Sequence, residues 1–72
     1  MRAQTKAEEY LKTGFAKGKI SDHNGAIQNY SKAIEINPHF AKAYYLRGNA
    51  KVELSNYNGA IEDYNNAIEI DS

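Results

Sequence analysis

The sequence predicts an all-α protein made of two helical hairpins in tandem. Residues 24–38 return in closely similar form as residues 58–72, an offset of 34 residues. Between residues 7–38 and 41–72, 15 of the 32 aligned pairs are identical. A fixed period of this size is typical of stacked supersecondary units. Apolar residues at helical spacing and turn-forming residues recur in both copies, so each copy predicts one helix-turn-helix hairpin.

The first helix is predicted from about residue 6 to residue 18. We expect residues 1–6 to be a frayed N-terminus in which the Thr5 hydroxyl caps the helix by accepting from the amides of its first turn. Gly18 is predicted to end this helix, because glycine is common just after a helix C-terminus. The turn that follows contains Ser21 and Asp22, either of which can cap the next helix.

The second helix is predicted from about residue 24 to residue 36. Its apolar residues form a stripe on one face, made of Ala26, Ile27, Tyr30, Ala33 and Ile34. Pro38 ends this helix, because proline has no amide to donate and disfavours the helical conformation of the residue before it.

The second copy repeats this arrangement. Helices are predicted at about residues 40–54 and 57–70, and the same apolar stripe returns as Ala60, Ile61, Tyr64, Ala67 and Ile68. The offset divides the chain into a first unit, residues 7–40, and a second unit, residues 41–72.

Two glycines at the same place in both copies indicate close helix packing. Gly14 and Gly48 lie inside predicted helices, where glycine costs about 1 kcal/mol relative to alanine. We expect Gly14 to face the neighbourhood of Ala26, and Gly48 that of Ala60, so that the helices of each hairpin approach closely. Nearby tyrosines then fill the remaining space.

These positions together resemble the tetratricopeptide repeat, a helix-turn-helix unit of the same length. In the first copy they are Tyr10, Gly14, Ala26, Tyr30, Ala33 and Pro38. In the second copy they are Tyr44, Gly48, Ala60, Tyr64 and Ala67, with Ser72 where proline is usual. The chain departs from the family at Lys17 and Lys51, whose stems we expect to lie over the hairpin in place of an aromatic ring. The resemblance implies two tandem repeats forming a short right-handed α-solenoid.

The resemblance also implies a protein-interaction scaffold and not an enzyme. In this family the first helix of each repeat lines a groove that binds a peptide segment of a partner protein. The predicted partner-binding residues are Leu11, Phe15, Lys42, Tyr45, Asn49 and Val52. We expect Leu11, Phe15 and Tyr45 to form an apolar floor. The alternative is that these side chains cover the junction between repeats or touch another copy of the chain.

Composition argues against several other functions. Nine basic and nine acidic residues are interspersed along the chain, so neither a nucleic-acid-binding stripe nor a polybasic membrane patch is present. The chain has no cysteine, which removes disulfides and thiol chemistry. We predict no catalytic residue, no cofactor and no metal site, and by default a cytoplasmic location without membrane contact. His23 and His39 are interpreted as solvated turn residues, and Glu8-Glu9 and Glu62-Asp63 as solvated helix faces.

The second function hypothesis is self-association. Nothing in the sequence covers the outer face of the fourth helix, where we expect parts of Tyr57, Ile61, Tyr64 and Ile68 to be exposed. Two chains that stack or exchange helices through this face would complete each other as a homodimer. The alternative is that the chain is a fragment of a longer repeat array, in which the next helix would cover this face.

Overall fold

The computed structural model describes the backbone of residues 3–71 and the side chains of residues 5–71. This part of the chain forms four α-helices: α1 (Ala3–Lys19), α2 (His23–Ile36), α3 (Ala41–Glu53) and α4 (Tyr57–Ile70). α1 pairs with α2, α3 pairs with α4, and α2 packs on α3. The predicted all-α architecture of two hairpins in tandem is confirmed.

The first helix begins earlier than predicted. α1 starts at Ala3, so Thr5 lies inside the helix, and residues 3–6 are helical where fraying was expected. The capping prediction for Thr5 was therefore wrong. Met1 and Arg2 lie outside the described residues.

Both hairpin turns use the same backbone motif. The Asp22 amide donates to Lys17 O at 2.8 Å and the Ser21 amide to Gly18 O at 3.0 Å. This is a Schellman ending, in which the residue after the helix takes a left-handed conformation. That residue is Ser21, with φ 66°, and α1 ends at Lys19, one residue beyond the predicted end at Gly18.

The second turn has the same two Schellman hydrogen bonds as the first. Ser55 has φ 64°, and its amide and that of Asn56 donate to Val52 O and Lys51 O. The residue after each left-handed serine then caps the following helix: Asp22 Oδ1 accepts from Gly25 N, and Asn56 Oδ1 accepts from Gly59 N. The predicted Asp22 cap is confirmed.

The core is built from small side chains because the helices lie close together. One cluster joins three fully buried alanines from α1, α2 and α3, namely Ala7, Ala33 and Ala43. A second cluster joins Ala26 and Tyr30 of α2 to Ala50 of α3. Larger residues, among them Tyr10, Leu11 and Ile34, pack around these alanines and exclude water from the α1–α2–α3 junction.

The two interior glycines accommodate tyrosine rings. A Cβ added to Gly14 would lie 2.7 Å from Cε1 of Tyr30, and one added to Gly48 would lie 2.7 Å from Cε1 of Tyr64. The steric need for glycine agrees with the sequence analysis, but the atoms it serves are tyrosine rings and not Ala26 or Ala60. In each hairpin, a tyrosine ring of the second helix therefore packs against the backbone of the first helix at its glycine.

Candidate peptide-binding groove

A groove runs between α1 and α3, which touch at only a few points. Its first part, hollow I, has a volume of about 290 Å³. Leu11, Phe15 and Leu46 form its apolar walls, and Lys12, Lys19 and Lys42 stand around them. Hollow I is an apolar cleft with a basic rim.

The second part of the groove, hollow II, lies toward the C-terminal ends of α1 and α3. Its volume is about 240 Å³, and it shares Phe15, Lys19 and Leu46 with hollow I. Its far end carries Asn49, Glu53 and His23. The groove therefore changes from basic at hollow I to mixed charge at hollow II.

Phe15 is the apolar residue most available to a ligand in this groove. Its side chain is 48% exposed although it stands between two helices. The Lys19 ammonium lies 5.1 Å from the centre of the Phe15 ring, a cation–π contact that keeps the charge at the edge of the groove. Phe15 thus offers apolar contact area next to a positive charge.

Asn49 lines hollow II, and its side-chain oxygen already accepts a hydrogen bond from another helix. The Tyr64 hydroxyl donates to Asn49 Oδ1, which fixes the side-chain amide relative to α4. The NH₂ group of Asn49 is the donor end of this side chain.

The structure separates the six predicted partner-binding residues. Leu11, Phe15, Lys42 and Asn49 line the groove. The Tyr45 ring lies against α4, with its centre 5.8 Å from that of the Tyr64 ring, so the apolar floor expected from Leu11, Phe15 and Tyr45 is not formed. Val52 is exposed and lines neither hollow.

The second hairpin contains a buried ion cluster that was not predicted from the sequence. Asp63 is only 2% exposed, so its interpretation as part of a solvated face was wrong. Arg47 binds both carboxylate oxygens of Asp63, at 2.9 and 2.8 Å, and the Lys51 ammonium lies 3.0 Å from Oδ2. Arg47 also donates to Ser31 Oγ at 3.1 Å. The cluster therefore ties α3 to both α2 and α4.

The electrostatic balance in this cluster favours the carboxylate. Burial acts to raise the pKa of Asp63, but the hydrogen bonds and charges of Arg47 and Lys51 outweigh it and hold that pKa below its ordinary value of 3.8. The Asp63 carboxylate raises the pKa of Arg47 in turn, against the effect of burial. One feature of the sequence could have indicated this cluster: Arg47 and Lys51 are spaced i, i+4 and so lie on one face of α3, where both can reach Asp63.

The first hairpin has neutral residues at two of these places. Thr13 stands where α3 has Arg47, and Asn29 where α4 has Asp63. Thr13 donates to its own helix at Glu9 O, and Asn29 Oδ1 is buried without a hydrogen-bond partner among the described residues. The two repeats thus share a backbone but differ at their polar centre.

The outer face of α4 is apolar and exposed. Tyr57, Ile61 and Ile68 are 59%, 55% and 62% exposed, as the sequence predicted. Tyr64 is half-buried, because its ring covers Gly48. The matching isoleucines of α2, Ile27 and Ile34, pack against the core beside α3.

The fold and the groove together define a repeat-built, all-helical module of stacked hairpins. The TPR repeat family model matches residues 14–55, and the tetratricopeptide repeat model matches residues 41–72. The chain belongs to the tetratricopeptide repeat family, whose members generally mediate protein–protein interactions.

A solved structure supports the same fold. The chain is similar to a structure titled "Crystal structure of MamA", with a TM-score of 0.89 and 34% sequence identity. The alignment covers 90% of this chain and 38% of that one, so the chain spans well under half the length of that protein. No curated protein sequence matches the chain significantly.

Two negative findings apply to the described residues. No helix within residues 3–71 is long and apolar enough to cross a lipid bilayer. No group of three or more histidine, cysteine or acidic residues in that range could hold a metal ion. The cytoplasmic location stays a prediction from sequence.

Proposed function

We propose that the chain is a non-catalytic binding module whose α1–α3 groove takes up a peptide segment of a partner protein. The observation that carries this proposal is the position of Phe15 and Leu11. Both line a cleft between helices that the internal packing leaves open, and Phe15 is about half exposed. Burying such side chains contributes roughly 25 cal/mol of favourable free energy for each Å² of apolar area covered, so a ligand that fills the cleft gains affinity.

Three polar groups support an extended or helical peptide as the ligand. The Asn49 amide can donate to a peptide carbonyl, and Lys42 and Lys19 stand where acidic groups of a peptide would pass. Each hollow is slightly smaller than the roughly 300–1,000 Å³ of typical small-molecule sites, and both are open along the groove. Side chains spaced along a peptide suit this shape better than one compact ligand does.

Selection from a displayed random-peptide library tests the proposal. We expect selected peptides to bind the wild-type chain and to lose at least tenfold in affinity for Leu11→Glu plus Phe15→Glu. The matched control is Ile20→Glu, because Ile20 is 77% exposed at the hairpin turn and lines neither hollow. Equal binding by the Leu11→Glu plus Phe15→Glu variant and by the Ile20→Glu control, with helix content intact by circular dichroism, would refute a groove site.

Self-association through α4 is a second candidate function, favoured by the exposure of Ile61 and Ile68. The internal α2–α3 junction indicates its geometry. α3 meets α2 through Ala43, Leu46 and Phe40, the residue just before the helix. The matching places in the first repeat are Glu9, Lys12 and Lys6. Glu9 would replace a fully buried alanine, and burying an unpaired carboxylate is costly. A homodimer would therefore join α4 to α4 and not α4 to α1.

Sedimentation analysis tests this second candidate. A dimer that Ile61→Glu plus Ile68→Glu dissociates, and that Lys6→Ala plus Glu9→Ala leaves intact, supports the α4–α4 contact. A wild-type chain that stays monomeric at high micromolar concentration contradicts it.

A further inference from the structure

We infer that hollow I selects an acidic segment, one that places a large apolar side chain between Leu11, Phe15 and Leu46 and carboxylates on either side of it. This inference rests on the proposed function of the groove and adds the chemistry of the partner. Its basis is the charge around hollow I compared with the rest of the chain.

The basic rim is concentrated although the chain is neutral. Formal net charge is zero, yet three lysines surround hollow I and no acidic side chain lines it. These lysines come from two helices, Lys12 and Lys19 from α1 and Lys42 from α3. Folding therefore completes the basic rim by bringing Lys42 of α3 next to the two lysines of α1.

The lysines of the rim differ from Lys51 in the absence of an acidic partner. Among residues 5–71, no carboxylate lies within 4.0 Å of the ammonium group of Lys12, Lys19 or Lys42, whereas Lys51 lies 3.0 Å from Asp63. A ligand carboxylate at hollow I would thus gain attraction without displacing an internal ion pair. Exposed ion pairs are weak one by one, so the rim sets selectivity and the apolar anchor supplies most of the affinity.

The opposite end of the groove gives the ligand a direction. Glu53 lines hollow II and offsets the attraction of Lys19 there, so a carboxylate is less favourable at hollow II than at hollow I. The acidic residues of the segment should therefore flank the apolar side chain over hollow I, and neutral residues should follow along hollow II toward Asn49. The ligand class is an acidic peptide with an aromatic or long aliphatic anchor.

The chain offers a closely matched pair of variants for the test. The groove variant is Lys12→Gln, Lys19→Gln and Lys42→Gln. The control is Lys6→Gln, Lys17→Gln and Lys32→Gln, which changes net charge by the same amount at residues that line neither hollow. Both sets leave the Arg47–Asp63–Lys51 cluster unchanged.

Peptides are selected from a random displayed library on the wild-type chain and on each variant, and their composition is compared. We expect wild type and control to enrich Asp or Glu next to a large apolar residue, and the groove variant to keep the apolar residue but lose the acidic enrichment. A synthetic peptide from the wild-type selection should bind the groove variant roughly 10- to 30-fold more weakly, since three exposed pairs are lost. Its affinity for wild type should fall as salt rises.

The outcomes separate this inference from the proposed function. Two outcomes overturn the charge inference and leave the groove as a peptide site. In one, apolar enrichment depends on Leu11 and Phe15 but no acidic residues are enriched. In the other, acidic enrichment is unchanged in the groove variant. Loss of acidic enrichment in the control as well as the groove variant also overturns it, because net charge alone would then explain the selection. No enrichment at all, or enrichment insensitive to Leu11→Glu plus Phe15→Glu, overturns both.

Discussion

α2 and α4 have nearly the same apolar sequence, yet they bury different amounts of it. α2 lies between α1 and α3 and buries Ala26, Tyr30 and Ala33. α4 packs on α3 alone, and its buried residues are Ala60 and Asp63. Position in the stack, and not local sequence, decides how much a repeated side chain contributes. The second hairpin also contains the Arg47–Asp63–Lys51 cluster, whereas the first hairpin has Thr13 and Asn29 at the places of Arg47 and Asp63.

The largest expected effect concerns that cluster. Asp63→Asn should lower the free energy of unfolding by about 3 kcal/mol, because it leaves Arg47 and Lys51 largely buried without their carboxylate. Adding Arg47→Thr should recover much of this loss, since Thr13 and Asn29 form the same pair of residues in the first hairpin. Urea unfolding measures both changes. A double variant less stable than Asp63→Asn alone would show that the two hairpins are not interchangeable here.

Acid titration checks the charge state behind this prediction. The pKa of Asp63 is lower in the folded chain than its ordinary value of 3.8, so its stabilising contribution is complete only well above that value, from about pH 5 upward. That contribution is lost as pH falls through the folded pKa, which lies below 3.8. Wild type should therefore lose more stability than Asp63→Asn does between about pH 5 and the most acidic pH at which both fold. Parallel pH profiles would contradict the lowered pKa.

The second prediction compares matching isoleucines. Ile34→Ala should cost about 2 kcal/mol, because Ile34 packs against the Ala7–Ala33–Ala43 cluster, whereas Ile68→Ala should cost less than about 0.5 kcal/mol at low protein concentration. Thermal unfolding at two protein concentrations measures both. Equal costs at low concentration would contradict the difference in burial, and a cost at Ile68 that grows with concentration would report self-association.

The repeat allowed the four helices and their pairing into two hairpins to be predicted, because apolar stripes and turn residues recur at the same offset in both copies. Leu11 and Phe15, which the sequence analysis predicted to bind a partner, both line hollow I. Asp63 was misinterpreted because its burial depends on Arg47 and Lys51 from another helix, and Asn29 at the matching place gives no sign of an ion pair. Tyr45 was misplaced for a similar reason, since its ring packs on Tyr64 across the second hairpin. Contacts between helices are the part that helical periodicity does not determine.

The third prediction compares the interior glycines. Alanine at either place gains about 1 kcal/mol in helix propensity but forces a tyrosine ring to move. Tyr30 is only 3% exposed and has little room, whereas Tyr64 is half-buried and can shift outward. We therefore expect Gly14→Ala to destabilise by about 1–2 kcal/mol more than Gly48→Ala does. Differential scanning calorimetry of the two variants decides it, and the reverse order would contradict this account of ring packing.

The smallest expected effect concerns a feature that the two hairpins share. Ser21 and Ser55 both have a left-handed backbone, which glycine adopts without steric cost. Ser21→Gly and Ser55→Gly should each raise the free energy of unfolding by about 0.5–1 kcal/mol, less the entropy that glycine adds to the unfolded chain. The two gains should be equal, because both turns make the same backbone hydrogen bonds and both serines are exposed. Urea midpoints that rise for only one variant would show that the position of a hairpin in the stack affects its turn as well as its core.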